Sequence, residues 1–155
     1  MSIEFYTDGA CLGNGKRPEG GKMGAGIIAR SAGFHREWAI PLGLGTNQQA
    51  ELLAVQHALE KIRDRASADV LVYTDSAYAI GCLTQNWKIQ ANRELVAGVR
   101  GLARECRSFR MAKVAGHAGD ANNERADELA RRAAITGEYH ASAQAATSDS
   151  SSSSS

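Results

Sequence analysis

The sequence has no long apolar run. Each apolar stretch is interrupted within about ten residues, whereas a membrane-spanning helix needs roughly 20. The first residues, Met1-Ser2-Ile3-Glu4-Phe5, also lack the basic segment and the long apolar segment of a secretory signal peptide. We therefore expect a protein without a membrane segment, in which the N-terminal residues begin the first strand.

Cysteine is also scarce. The three cysteines, Cys11, Cys82 and Cys106, are odd in number and lack the close spacing of zinc sites and disulfide frameworks. A reducing compartment is the simplest setting for such a chain, so we predict a cytoplasmic location.

Length and composition favour one domain. A content of 43% hydrophobic residues in a chain of 155 is enough to bury a core. The last part of the chain is rich in alanine and serine and ends in six serines, so it cannot bury enough apolar surface to fold. We expect residues 1–136 to form the domain, residues 137–155 to be a disordered tail, and the protein to be a monomer.

Charge is unevenly distributed along the chain, although the formal net charge is only +1. Residues 1–136 carry 18 basic and 15 acidic side chains, a charge of +3. If four of those acids bind metal ions, the remaining charge is +7, which suits a polyanionic ligand. Bases are densest in residues 88–113, and a solvated helical face is the alternative interpretation of that segment.

The periodicity of apolar residues predicts strands first and helices later. Alternating patterns in residues 3–8, 23–29 and 34–40 predict an antiparallel meander of three strands. Because helical crossovers join the later strands, the sheet should be mixed. After the meander, the pattern predicts a helix from residue 47 to about residue 65, with Asn47 as its N-cap, and then a buried strand over residues 70–73. The remaining predicted elements are a short helix around 78–83, a helix over about 92–105, a strand over 109–115 and a helix over 123–134.

Four acidic residues are candidates for a common site. Asp8 and Asp75 each follow an apolar strand pattern, and parallel neighbouring strands would bring both carboxylates to one edge of the sheet. Glu51 shares a helical stripe with apolar residues, so a carboxylate points towards the core, where it needs a cation or a proton. Asp127, at the start of the last helix, is not distinguished from its acidic neighbours by position alone. Turn formation and favourable helix-dipole contacts are the structural alternatives for these acids.

Four motifs, in their sequences and in their order along the chain, resemble those of the type 1 ribonuclease H family, and the resemblance covers about residues 3–134. They are YTDGACLGN at residues 6–14, TNQQAEL at residues 46–52, YTDS at residues 73–76, and GHAG at residues 116–119 followed by NERADELA at residues 123–130. The resemblance implies an α/β protein with the ribonuclease H-like fold, a five-stranded mixed sheet flanked by helices. It also implies an endonuclease that cuts the RNA strand of RNA/DNA hybrids.

The resemblance assigns the catalytic carboxylates to Asp8, Glu51, Asp75 and Asp127. In the family two Mg²⁺ ions bridge these groups and the scissile phosphate, and Mn²⁺ is the expected substitute. His117 matches the family's loop histidine, which assists proton transfer or product release.

Substrate contacts are also implied by the resemblance. Cys11, Gly13, Asn14, Asn47 and Gln48 match positions that reach the minor groove of the hybrid. Thr46 and Asn92 match a pocket that holds a DNA phosphate. Asn123 is either a substrate contact or a helix cap, and turn and cap chemistry is the alternative for the whole set.

Two departures from the family are visible. The lysine-rich basic protrusion that some members carry after a motif like Asn86-Trp87-Lys88 is missing, so we expect weaker substrate affinity than in those members unless the bases of residues 88–113 compensate. The loop at residues 16–22 is longer than the usual turn and places three bases beside the site. A nuclease acting on DNA junctions or ends and a binding module without catalysis are the competing interpretations, but Asp8 is followed by Gly9 and Ala10 rather than by the Asp-x-Glu pattern of the exonucleases.

Overall fold

A computed structural model of the chain describes residues 1–13, 18–85, 87–114 and 120–144. No helix in this part of the chain is long and apolar enough to cross a membrane. The strands are β1 (Ser2–Leu12), β2 (Gly21–Ser31), β3 (Phe34–Gly45), β4 (Asp69–Thr74), β5 (Ser108–Lys113) and β6 (His140–Gln144), and the helices are α1 (Asn47–Glu60), α2 (Ala77–Thr84), α3 (Arg93–Glu105) and α4 (Ala121–Thr136), with a 3₁₀ turn at Arg65–Ser67.

The strands form one mixed sheet in the order β5-β4-β1-β2-β3-β6. The antiparallel meander of β1, β2 and β3 is confirmed, and so is the parallel pairing of β4 with β1 and of β5 with β4. The last parallel pair between β1 and β4 joins Tyr6 to Tyr73. Both strands therefore run towards the same edge of the sheet.

The sheet has six strands, so the expected count of five is wrong. β6 pairs antiparallel with β3, with Ala39 opposite His140 and His35 opposite Gln144. The expectation of disorder from residue 137 is therefore wrong for residues 140–144. A sheet edge binds another strand through backbone hydrogen bonds, which do not require apolar side chains, and composition alone gives no sign of this. Residues 145–155 lie outside the described part of the chain.

Helices cover both faces of the sheet. On β1, Phe5 packs with residues of α1 and α3, including Leu52 and Val99. The next residue, Tyr6, points to the other face and packs in a second cluster with Leu129 of α4. Because both faces of β1 are buried, the polar residues in the middle of this strand, beyond its pairing with β4, are also removed from water.

Two glycines of β2 let α4 rest directly on the sheet. A Cβ at Gly26 would lie 1.9 Å from the carbonyl oxygen of Ala126, and one at Gly24 would lie 2.2 Å from that of Ala130. Gly26 is also the β2 partner of Asp8. The close approach of α4 to β2 therefore brings the start of this helix next to the polar part of β1.

The N-cap of α1 is Thr46, not Asn47 as predicted. The Thr46 hydroxyl accepts a hydrogen bond from the backbone N–H of Gln49 at 3.1 Å, and the Gln49 side chain accepts one from the backbone N–H of Thr46 at 3.0 Å. This reciprocal capping box fixes the direction in which α1 starts, and with it the position of Glu51 in the first turns.

Candidate active site

Three carboxylates from three elements meet at one edge of the sheet. Asp8 lies within β1, Asp75 directly follows β4, and Glu51 lies near the start of α1. Each offers a carboxylate oxygen within 4.8 Å of the others. The sequence placed Asp8 at the end of its strand, but β1 continues to Leu12 by pairing with β2, while its pairing with β4 stops at Tyr6. Asp8 and Asp75 thus each lie two residues beyond the last pair between β1 and β4, which places them at the same end of the two strands.

Gly9 allows α1 to approach β1 closely enough to complete the cluster. A Cβ at this position would lie 2.4 Å from the backbone carbon of Ala50, a distance that real Cβ atoms do not reach. The backbone N–H of Gly9 also donates a hydrogen bond to Oε1 of Glu51 at 3.1 Å. The Asp-Gly pair therefore supplies one carboxylate and the opening for a second.

Burial and mutual repulsion raise the pKa values of this cluster. Asp8 is 6% exposed and Glu51 is 9% exposed. Desolvation, followed by the charges of Glu51 and Asp75, raises the pKa of Asp8 to about 9. Desolvation and the charge of Asp75 raise the pKa of Glu51 to about 8, and the Gly9 N–H opposes this shift.

In the described part of the chain, no base compensates the three acids. Among the described residues, none of the ion pairs includes Asp8, Glu51 or Asp75. Buried like charges without a counter-ion are costly, and they become favourable when a cation binds between them. Carboxylate oxygens are the ligands preferred by hard divalent cations such as Mg²⁺ and Mn²⁺. The donor set therefore fits a divalent metal ion.

Asp127 lies beside the cluster but differs from its members. Through a side-chain hydrogen bond and through its charge, it contributes to the raised pKa of Asp8. It is not part of the 4.8 Å group, its side chain is 46% exposed, and its Oδ2 lies 2.6 Å from Nη2 of Arg131. The family resemblance placed Asp127 with the other acids but did not reveal this ion pair, although the spacing of four residues on a helix would have allowed it.

The predicted groove contacts at the end of β1 are partly described. The Cys11 thiol donates a hydrogen bond to the carbonyl oxygen of Gly45 at 3.2 Å, which joins the end of β1 to the end of β3. Gly13 is exposed and has a φ of 70°, a conformation that favours glycine. Asn14 and His117 lie outside the described residues.

The predicted contacts at the start of α1 form an exposed surface next to Glu51. Thr46, Asn47 and Gln48 are all exposed. Their position at a helix N-terminus leaves a favourable environment for a phosphate group near the cluster.

Asn92 connects this surface to the start of α3. Its side chain accepts a hydrogen bond from Gln49 at 3.3 Å and donates one to the hydroxyl of Tyr78 at 3.0 Å, while its backbone has a left-handed φ of 58°. A cavity of about 370 Å³ lies here. The sequence missed Gln49 and Tyr78, because their link to Asn92 depends on the tertiary fold. The cavity is lined by Gln49, Gln90, Asn92, Arg93, Glu94 and Leu95.

Asn123 is a buried residue of α4 rather than its cap. The N-cap is Asp120, whose Oδ1 accepts the backbone N–H groups of Asn122 and Asn123 at 3.1 and 3.0 Å. The Asn123 residue is 9% exposed. The helix-cap alternative for Asn123 is therefore wrong.

Comparison with known proteins identifies similar sequences and structures. The family model described as RNase H matches residues 1–135. A ribonuclease H from Syntrophomonas wolfei is 37% identical over 145 residues, which cover 84% of this chain and 94% of the relative. The RNase H1 of Halobacterium salinarum superposes with a TM-score of 0.70 at 27% identity, covering 89% of this chain and all of the other. LC11-RNase H1, solved in complex with an RNA/DNA hybrid, has a TM-score of 0.68 at 23% identity over 87% of this chain and 98% of its own.

Proposed function

The chain belongs to the ribonuclease H family, and on this premise we propose that it is an endonuclease that hydrolyses the RNA strand of RNA/DNA hybrids, leaving 5′-phosphate and 3′-hydroxyl ends. The observation that carries the proposal is the cluster of Asp8, Glu51 and Asp75, with Asp127 beside it. The hybrid as substrate is supported by LC11-RNase H1, whose structure holds one. The monomeric state and the cytoplasmic location stay predictions.

The four carboxylates are proposed to hold two Mg²⁺ ions in the presence of substrate, with Mn²⁺ as a substitute. When bound, the ions supply an activated water and stabilise the charge on the leaving 3′ oxygen. The protein's part is to fix the ligands in advance. Asp8 is held by the ladder of β1, and Glu51 is held by the capping box of α1 and by the Gly9 N–H. Such preorganisation lowers the cost of assembling the site.

Recognition of the hybrid is proposed to use the surface on either side of the cluster. Cys11, Gly13 and Asn14 at the end of β1, with Asn47 and Gln48 on α1, would contact the minor groove, where RNA and DNA differ by the 2′-hydroxyl. Thr46 and Asn92 would hold a DNA phosphate. The hydrogen bonds of Asn92 to Gln49 and Tyr78 support this role, because they fix the amide next to the start of α1. Asn123, buried on α4, is proposed to contribute from the side of Asp127.

His117 is proposed to assist proton transfer at the leaving oxygen or product release, since an imidazole titrates near neutrality. His117→Ala should slow turnover by about 10² to 10⁴ without preventing metal binding, and should therefore rank between the wild type and Asp8→Asn. If both variants were equally inactive and both lost metal binding, His117 would have to be reassigned as a metal ligand.

The test presents one labelled sequence in four forms to the full chain with Mg²⁺. The forms are RNA/DNA hybrid, double-stranded RNA, double-stranded DNA and single-stranded RNA. We expect cleavage inside the RNA strand of the hybrid, with 5′-phosphate ends, and no cleavage after chelation of the metal. Cleavage of the DNA substrates alone would favour the junction or end nuclease, and binding of the hybrid without any cleavage would favour the non-catalytic module.

A further inference from the structure

The four acids of the site differ in what neutralises them. Asp8, Glu51 and Asp75 form no ion pair with a described base, whereas Asp127 pairs with Arg131 at 2.6 Å. Asp127 and Arg131 are separated by one turn of α4, so the helix itself holds the guanidinium next to the carboxylate. One ligand position is therefore already occupied by a cation that belongs to the protein.

We propose that Arg131 is a positioning residue that holds the Asp127 carboxylate in the metal-free protein and weakens metal binding at the position that needs Asp127. A metal ion at the triad of Asp8, Glu51 and Asp75 meets no such competitor among the described residues. A second ion that uses Asp127 competes with the guanidinium for this carboxylate and lies near its positive charge. The two metal positions should therefore fill in order, the triad first. This inference rests on the proposed function in one respect, that Asp127 is a metal ligand.

The expected effect is moderate. The side chains of Arg131 and Asp127 are 59% and 46% exposed, and exposed pairs of this kind change an equilibrium by a factor of about two. Removing a positive charge close to a divalent ion adds a further gain, because water screens the repulsion only in part. We expect the weaker metal dissociation constant to fall about threefold to tenfold in Arg131→Gln.

The experiment titrates the full chain with Mn²⁺ in the absence of nucleic acid and measures free Mn²⁺ by electron paramagnetic resonance. The wild type should show one tighter and one weaker site, and Arg131→Gln should tighten only the weaker one. Arg131→Lys keeps the charge and should stay close to the wild type. In the Asp127→Asn background, Arg131→Gln should have no further effect, because the carboxylate for which Arg131 and the metal ion compete is gone.

Arg132→Gln is the matched control. Arg132 is the next residue of α4, is exposed and carries the same charge. Its replacement should change the dissociation constant of the weaker metal site by less than about twofold, because only the screened long-range charge of the protein is altered. An equal shift in Arg131→Gln and Arg132→Gln, or an unchanged dissociation constant of the weaker site in Arg131→Gln, would overturn the role of Arg131.

Thermal unfolding separates this role from a structural one. Arg131→Gln leaves Asp127 without its counter-ion, so the melting temperature should fall in the metal-free protein and recover at saturating Mn²⁺. A fall of equal size with and without Mn²⁺ would indicate a structural ion pair only. This experiment and the substrate test can fail separately. If Arg131→Gln has no effect on metal binding but the chain cuts the hybrid with metal, only this inference is refuted. If the chain binds metal as described but cuts no hybrid, the proposed function is refuted.

Discussion

The two ends of β4 carry aspartates in opposite electrostatic surroundings. Asp69 opens the strand and accepts hydrogen bonds from the guanidinium of Arg107 and from the hydroxyl of Ser108. These hydrogen bonds lower the pKa of Asp69 to about 2. Asp75 follows the other end of the strand, in the cluster where the pKa values of Asp8 and Glu51 are raised.

This comparison distinguishes acids whose charge is compensated within the fold from acids whose charge is compensated only when a cation binds. At the Asp69 end, side chains of β5 and the residue before it supply the compensating hydrogen bonds, so the charge is stable in the folded protein. At the Asp75 end the fold brings acids together and supplies no described base to the triad. Stability alone would favour the first arrangement at both ends, so the second is best explained by a cation taken from solution.

The largest expected effect comes from removing one charge of the cluster that lies at the Asp75 end of β4. Asp8→Asn should reduce hybrid cleavage by more than about 10⁴-fold, equal to more than about 5 kcal/mol of transition-state stabilisation, because a metal-bridging ligand is lost. The metal-free variant should be as stable as the wild type or slightly more stable, since repulsion in the cluster falls. Cleavage rates at saturating Mg²⁺ and melting temperatures measure the two effects.

Asp69→Asn is the control at the opposite end of β4. It should leave the cleavage rate within about twofold, because exposed ion pairs contribute little and Asp69 lies away from the cluster. Near-normal cleavage by Asp8→Asn, or a comparable loss in Asp69→Asn, would remove the functional distinction between the two ends.

The next effect tests the close approach that builds the cluster. Gly9→Ala should destabilise the protein by about 1 to 3 kcal/mol or more, because the new Cβ meets the backbone of Ala50. Cleavage should fall as well, since Glu51 is displaced with α1. For a domain of this size, each kcal/mol lowers the melting temperature by roughly 2 to 4 °C.

Gly98→Ala provides the matched control for that substitution. A Cβ at Gly98 in α3 would meet nothing within 4 Å, so this variant should be stabilised by up to about 1 kcal/mol with unchanged activity. A tolerated Gly9→Ala with full activity would show that α1 can move without affecting the site.

A smaller effect concerns the pH dependence of stability without metal. The unfolded chain releases the protons of Asp8 and Glu51 near 3.8 and 4.5, but the folded protein keeps them up to about 9 and 8. Because the folded state binds more protons in this range, the free energy of unfolding should fall as the pH rises. We expect a loss of at least about 1 kcal/mol between about pH 5 and pH 8, the equivalent of one pK unit, which Mg²⁺ should restore.

Asp8→Asn serves as the reference for this measurement. His57 has a lowered pKa from desolvation and acts in the opposite direction near neutrality, but it is present in both proteins and cancels in the difference. The stability of Asp8→Asn should therefore depend less on pH than that of the wild type. Parallel profiles for the two proteins would mean that Asp8 is not protonated in the metal-free cluster.

The sequence pattern predicted the elements with strong periodicity and the approach of Asp8 to Asp75, whereas Glu51 was joined to these two by the family resemblance. These predictions succeeded because a buried strand and an amphipathic helix leave regular patterns of apolar residues. What it did not predict depends on contacts that leave no such pattern. Examples are the backbone pairing of β6, the hydrogen bond from Asn92 to Tyr78, and the ion pair that separates Asp127 from the other acids.

The smallest expected effect lies at the β3 edge of the sheet, away from the cluster. A chain ending at residue 144 should match the full chain in stability and activity, because the Ser-rich segment it loses lacks apolar content.

A chain ending at residue 139 also loses β6, and it keeps Gly137, which ends α4 in a left-handed conformation. It should be destabilised by about 1 kcal/mol, because the five cross-strand pairs between β3 and β6 are lost and the β3 edge is left open. The melting temperature should then fall by roughly 2 to 4 °C while the cleavage rate at 25 °C is unchanged. A fall in cleavage without a fall in melting temperature would instead connect β6 to the active site. It would weaken the assignment of function to the acidic cluster at the ends of β1 and β4.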